Sequence, residues 1–342
     1  MKNTKFHIYY YSDVIIFLDY YINENGGFIY MATGKSLYIA NFNCTFGNEN
    51  KPMLDYFDEI IMPAFQQSAQ RESDGNTYFF ENVRLIMTKG GFMLGGLLIK
   101  RTQLEVKSIY EEGEGLKLIN ETYPSDPYSY FLINLKNHRM VIVKNQKGSP
   151  TLGNFSATAK YLLKDYVSQI NKEIKKKEDR LPTPNLNIVA IPFKDAIRKE
   201  LRNVKKIKKV TLRFYPLNGD IDGKQAFTHL REMLDELGSK SGHAQISTPN
   251  NKDKVVELLD DTKGLVEPSI RVEYNNGSSR TLRDDSFTEE MSIPLEDTGN
   301  LHEDLDNIAG KVINKEEFND TSEDNKRIYD KWFGTLMNMF KG

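Results

Sequence analysis

Apolar and polar residues alternate with the period of strands through most of the first 150 positions, and helical spacing dominates the remainder. Residues 6–11 are aromatic and β-prone and read as a first strand. Ser12 and Asp13 are good N-caps for residues 14–21, which predicts a short apolar helix closed by Asn25-Gly26-Gly27. Strands are expected at 28–32 and 36–42. Residues 53–70 place Leu54, Phe57, Ile60, Ile61, Ala64 and Phe65 on one face of an amphipathic helix. Five strands follow at 78–89, 92–107, 116–120, 128–135 and 139–144, with turns at Lys89-Gly90-Gly91, Glu112-Gly113-Glu114-Gly115 and Lys136-Asn137-His138. This pattern predicts an antiparallel meander. Gly95-Gly96 marks a bulge, a bend or a close approach of backbone, with a ligand cleft the less favoured reading.

A break at 149–153 leads to a helix that Asn154 can cap and that runs to about residue 177, where its lysines suit the helix dipole. After the extended connector 181–184 come a strand at 186–191, a helix over 193–204 and a strand at 208–215. Leu217-Asn218-Gly219-Asp220 then turns the chain into a helix at 224–237, followed by a shorter one at 253–259. Residues 269–274 and 279–283 flank the hairpin signal Asn275-Asn276-Gly277. A strand near 291–295 and helices at 301–311 and 322–341 close the chain, with Trp332 most simply part of a core. The expected fold class is α+β: an antiparallel β-rich part with two helices over 1–150, and an α/β part over 151–342 built around the strand–basic helix–strand unit, with an acidic C-terminal segment.

Composition narrows the class. The chain has 342 residues, 39% apolar and 27% charged, with no apolar run long enough for a membrane span and no secretory core at its start. Cys44 is the single cysteine, which excludes an intrachain disulfide and makes a cytoplasmic setting the expectation. The net charge of −2 hides a strong asymmetry. Residues 194–213 hold nine Lys or Arg against Asp195 and Glu200, and residues 251–330 hold twenty-one Asp or Glu against ten Lys or Arg.

Enzymatic signatures are sparse. Thr33-Gly34-Lys35-Ser36 imitates the end of a phosphate-binding loop, but Ile29 stands where the first glycine is required, so a hairpin turn is the better reading. Glu105-Val106-Lys107 would place a carboxylate and an amine on one strand face, as in a metal-dependent nuclease, with Asp55 or Asp58 as the missing acid. His7, His138, His229, His243 and His302 have no ligand spacing. No catalytic residue, metal site or small-molecule cofactor is assigned.

The basic stretch carries more weight, because phosphate neutralisation needs charge more than exact geometry. Phe193, Ile197, Leu201 and Val204 form an apolar stripe, beside which Lys194, Arg198, Arg202 and Lys205 recur about once per turn as a cationic ridge. Lys199, Lys206, Lys208, Lys209 and Arg213 add to it, and Arg213 shares a strand face with Tyr215. The candidate DNA-binding set is thus Lys194, Arg198, Lys199, Arg202, Lys205, Lys206, Lys208, Lys209 and Arg213. A solvated helix face, or a surface for an acidic protein partner, are the alternatives.

The stretch from Ile191-Pro192-Phe193-Lys194 through Val210-Thr211-Leu212-Arg213, within residues 130–217, resembles the lambda RexA-type phage-exclusion (abortive-infection) proteins. The resemblance implies a non-enzymatic, cytoplasmic homodimer that binds double-stranded DNA without sequence preference, senses infection and signals to a membrane-protein effector. It implies phosphate contacts for Lys194, Arg198, Lys199, Arg202, Lys205 and Lys206. The acidic rear segment could cover the basic ridge at rest, which would be autoinhibitory.

Overall fold

One strand, Thr33–Phe46, joins three distant parts of the chain in the computed structural model. On one edge it pairs with Arg139–Lys144 and Lys51–Pro52. On the other it pairs with Pro184–Ala190 over residues 40–46 and with Met291–Leu295 over residues 33–37. The sheet continues outward through Tyr128–Asn134, Gly91–Glu111, Asn76–Thr88 and Arg71–Ser73, every pair antiparallel. The structure describes residues 8–11, 14–17, 20–22, 28–30, 33–216, 225–283, 286–288, 291–295, 298–319 and 321–341. His7 and the turn expected at 217–220 lie outside them.

The central strands are apolar on both faces because both faces are covered. Phe131, Ile133, Met140 and Ile142 face one layer, built from residues 53–66, the helix Leu152–Glu173 and the helix Glu323–Lys341. Within it Phe65 stacks on Phe80 at 4.7 Å, and Phe80 and Phe131 both meet Phe155. The alternate residues Leu132, Val141 and Val143 face the helix Leu301–Val312, whose Leu305, Ile308, Ala309 and Val312 are buried. Gly95 is a site of close approach, not a cleft. A Cβ there would lie 2.7 Å from Ile86 and 2.8 Å from Leu132. The bulge falls on the neighbouring strand, between Glu81 and Arg84.

Several local expectations change. Residues 14–17 form a strand paired with Ile8–Tyr11, and Tyr20–Ile22 pairs with Phe28–Tyr30, where a helix was expected. Three consecutive β-branched residues, Val14, Ile15 and Ile16, favour the extended form over the capping signal. The 53–70 helix is shorter and broken, passing from a 3₁₀ turn through a π turn to Met62–Gln66. Thr151, and not Asn154, caps the long helix; Asn154 completes a reciprocal capping box from the third helical position. The imitation phosphate loop is the start of a strand, and its Lys35 is buried, donating to Asn145 Oδ1 at 2.6 Å.

A boundary at residue 150 does not separate the sheets, since Pro184–Ala190 and Met291–Leu295 both belong to the first one. The second unit is instead an insertion between these two strands. It holds a four-stranded antiparallel sheet ordered Gly242–Ser247, Val204–Phe214, Glu267–Tyr274, Ser279–Leu282. The helices Lys194–Leu201, Gln225–Glu236 and Lys252–Asp260 cover one face of it through Ile197, Leu201, Phe227, Leu234, Val256 and Leu259. The fold is α+β throughout the described residues. Among them, no helix is long and apolar enough to cross a membrane.

The Leu301–Val312 helix is fixed by a buried polar contact. Asp304, in its first turn, accepts from the Tyr130 hydroxyl at 2.8 Å and from the Thr298 hydroxyl at 2.9 Å. A carboxylate at this position is also favoured by the helix dipole. Burial, with hydrogen bonding to Tyr128 and Asp304, pushes the Tyr130 phenol well above its ordinary value. Tyr130→Phe removes a hydrogen bond to a buried charge and should cost about 1.5–3 kcal/mol in urea unfolding. The pH dependence has a definite sign. Folding favours the neutral phenol, so the wild type keeps this contribution below the unfolded tyrosine value of about 10 and loses it as pH rises above that. The Phe variant should lack that alkaline slope.

Candidate nucleic-acid interface

The strand Val204–Phe214 buries Val204, Ile207, Val210, Leu212 and Phe214 against the covering helices. Its first three apolar residues are spaced by three, which a regular strand of period two cannot keep on one face. Two bulges resolve the conflict, one between Val204 and Lys206 and one between Ile207 and Lys209. Each absorbs one residue of a Lys-Lys pair. The consequence is that the charged residues of this strand lie on the outer face, which no helix of the unit covers among the described residues.

On that face Lys209 stands opposite Arg271, and Arg213 stands between His243 and Glu267. Thr211, Ser269 and Gln245 supply neutral donors between them. Glu273 is the main counter-charge. Lys208 Nζ lies 2.9 Å from it and Lys205 Nζ 3.6 Å. Its bond to the Lys208 ammonium, with Lys205 beyond, holds the Glu273 carboxyl below the ordinary carboxylate value. Lys206, Lys209, Arg213 and Arg271 make no ion pair among the described residues.

At its Arg213 end the outer face becomes one wall of a cleft. The opposite walls are the N-terminal turns of the Leu152–Glu173 helix and the edge strand Pro184–Ala190. One lobe encloses about 650 Å³ and a second about 470 Å³, and Lys160, Asn187, Arg213 and Tyr215 lie between them. Six cations line the two lobes: Lys160, Lys164, Arg213, Lys240, Arg280 and Arg283. Glu267 is the acid present, and it accepts from the Tyr215 hydroxyl. The Arg213 guanidinium stacks 5.1 Å above the Tyr215 ring.

The nine candidate residues therefore divide between two surfaces. The basic helix ends at Leu201, so Val204 and Lys205 belong to the strand and not to the helical ridge. Lys194, Arg198 and Lys199 lie on the helix that covers the inner face, and Arg202 is its C-cap, on the opposite side of the layer from Lys209 and Arg213. Lys194 sits 3.9 Å from Asp260, and Arg198 sits 3.3 Å from Asp195. Lys199 and Arg202 are exposed. Sequence reasoning missed Lys160, Arg271, Arg280 and Arg283. The alternation of Ile270 and Val272 signals an outward Arg271, but no linear signal brings the other three together.

Glu105 and Lys107 lie on an exposed two-stranded extension of the large sheet, opposite residues 119–122. Asp55 is engaged elsewhere, accepting from Trp332 Nε1 at 2.9 Å and lying 3.3 Å from Lys331. The structure does not bring these candidates together. Among the described residues no group of three or more His, Cys, Asp or Glu could hold a metal ion. Cys44 is buried within the large sheet, and burial pushes its thiol up.

No curated protein matches this chain. Residues 36–285 match a family model whose span takes in most of the large sheet, the whole four-stranded sheet and nearly all of the cleft. With well over half of its 342 residues matched, the chain belongs to the family described as a domain of unknown function, DUF4747.

Proposed function

We propose that this chain binds the phosphate backbone of double-stranded DNA without sequence preference, through the outer face of the four-stranded sheet and the cleft beside it. One observation carries the reading. Lys206, Lys209, Arg213 and Arg271 on the face, with Lys160, Arg280 and Arg283 in the cleft, make no ion pair among the described residues. Uncompensated cations held by strands and helices favour a polyanion, and counterion release then drives binding. The helix residues Lys199 and Arg202 would add contacts only from the far side of the layer. The resemblance over 130–217 gives this activity a setting: a cytoplasmic sensor of phage exclusion, working as a homodimer and passing its signal to a membrane-protein effector. The reading assigns the chain no catalytic step and no cofactor.

Fluorescence anisotropy with random-sequence duplexes over a salt series tests the proposal. Four to five phosphate contacts predict a log–log slope of about −4. Charge reversal of Lys206, Lys209 and Arg213 to Glu should abolish binding with the fold intact, whereas Lys199→Glu with Arg202→Glu should weaken it by less than about tenfold. A slope near zero, or a greater loss from the helix pair, refutes the assignment. An acidic protein would meet the same cations, and a chain that ignores duplex DNA while binding such a protein would support that alternative.

Glu273→Gln provides a gain-of-affinity check. It releases Lys205 and Lys208 on the same face and should tighten duplex binding several-fold, with a salt slope steeper by about 1–2. Unchanged affinity and slope would remove these two lysines from the interface.

A further inference from the structure

The larger lobe of the cleft differs in kind from the open sheet face. The helix Leu152–Glu173 lines it with Gly153 and Ser156 from its first turns, and with Lys160 one turn further on. Arg213, Arg280 and Arg283 come from the inserted unit, so four cations line this lobe against the single carboxylate of Glu267. The helix start also has donors to spare. Its capping box joins only Thr151 and Asn154. The N–H groups of Leu152 and Gly153, and the Ser156 hydroxyl, make no hydrogen bond among the described residues. Gly153 has no reason in the fold. It is exposed, its φ is not left-handed, and the nearest atom to an added Cβ would be Thr151 Oγ1 at 3.6 Å. Alanine would favour the helix, so the missing side chain serves the space in front of it. The smaller lobe is lined instead by neutral Thr45, Asn50 and Asn185 beside its lysines. Asn187 borders both lobes, and its side-chain amide makes no hydrogen bond among the described residues.

We infer that the cleft is a nucleotide site, in which the larger lobe takes a terminal phosphate and the smaller lobe takes the sugar and base. The inference rests on the phosphate-binding reading of these cations, but gives the cleft a different ligand from that of the sheet face. Three observations favour a nucleotide end over continuous backbone. Four cations against one carboxylate suit a phosphomonoester, which carries roughly −1.5 to −2, better than a diester with its single charge. Lobes of about 650 and 470 Å³ lie in the range of small-ligand sites, roughly 300–1,000 Å³. A duplex, whose major groove alone is about 12 Å wide, does not enter them. The Asn187 amide, a donor and acceptor pair without a partner, is the kind of group that reads a base edge. A free mononucleotide and the 5′-phosphorylated end of a strand share this chemistry.

Isothermal titration calorimetry of the full chain tests this with two comparisons. Nucleoside 5′-monophosphates against their nucleosides read the free ligand, and a 5′-phosphorylated overhang duplex against its 5′-hydroxyl twin reads the strand end. In at least one comparison the phosphate should tighten binding by about tenfold or more, and a preference confined to one of them names the source. Arg280→Gln with Arg283→Gln should erase the preference. Gly153→Ala should weaken the phosphate-bearing ligand by about tenfold while its thermal midpoint stays the same or rises. No phosphate preference in either comparison, or a preference that survives either variant, overturns the inference. Closed circular DNA, which has no ends, keeps the two readings apart. If it binds while the phosphate preference is absent, the nucleotide site alone is lost. If the preference is present and the circle does not bind, the backbone reading alone is lost.

Discussion

Two strands share one edge of Thr33–Phe46, and that pairing places everything else of functional interest. The chain leaves the edge after Ala190, where Ile191 N still donates to Ile39 O at 3.0 Å, and returns at Met291 opposite Leu37. The hundred or so residues between are thus tethered at two adjacent points, not hung from a single linker. Phe193 N donates to Phe287 O at 2.8 Å and closes the neck. Two further bonds fix the orientation: Asn43 Nδ2 to Pro216 O at 2.6 Å, and the buried Arg139 Nη1 to Lys263 O at 2.8 Å. Hydrogen bonds from charged or buried donors of this kind are costly to break. The cleft follows from the tether, because the inserted sheet has one seat against the Leu152–Glu173 helix.

The same seating explains how a chain with net charge −2 can keep a cationic face. Its acidic residues are concentrated in the rear, and the rear helices are committed to the large sheet. Leu305, Ile308 and Val312 cover one face, while Tyr329 and Leu336 cover the other. Tyr329 also donates its hydroxyl to Phe92 N at 2.8 Å. Lifting these helices onto the basic helix would expose core, which argues against the rear segment as a mobile cover. Asp260 is an acid from 251–330 that does approach the helix cations, at 3.9 Å from Lys194, and exposed pairs of that length contribute little.

Periodicity made the meander, the α+β class and the C-terminal helices legible, because strands such as Arg139–Lys144 and helices such as Leu301–Val312 carry patterns that local physics enforces. In the basic stretch the order strand, helix, strand was legible too, but the junction between the helix and the second strand was not, for a specific cause. Phe193, Ile197, Leu201, Val204, Ile207 and Val210 are spaced by three or four throughout, so a helix followed by a twice-bulged strand looks like one longer helix. The helix stops at Leu201 because Val204 begins pairing with Tyr274, a partner seventy residues away that no local pattern reveals. Likewise the cleft joins residues 152–164, 184–189, 213–215 and 280–286, which meet only through the double tether. Charge counts drew attention to this stretch and placed Lys208 and Lys209 on a strand, as found, but Lys205 was put on the helical ridge and belongs to the strand.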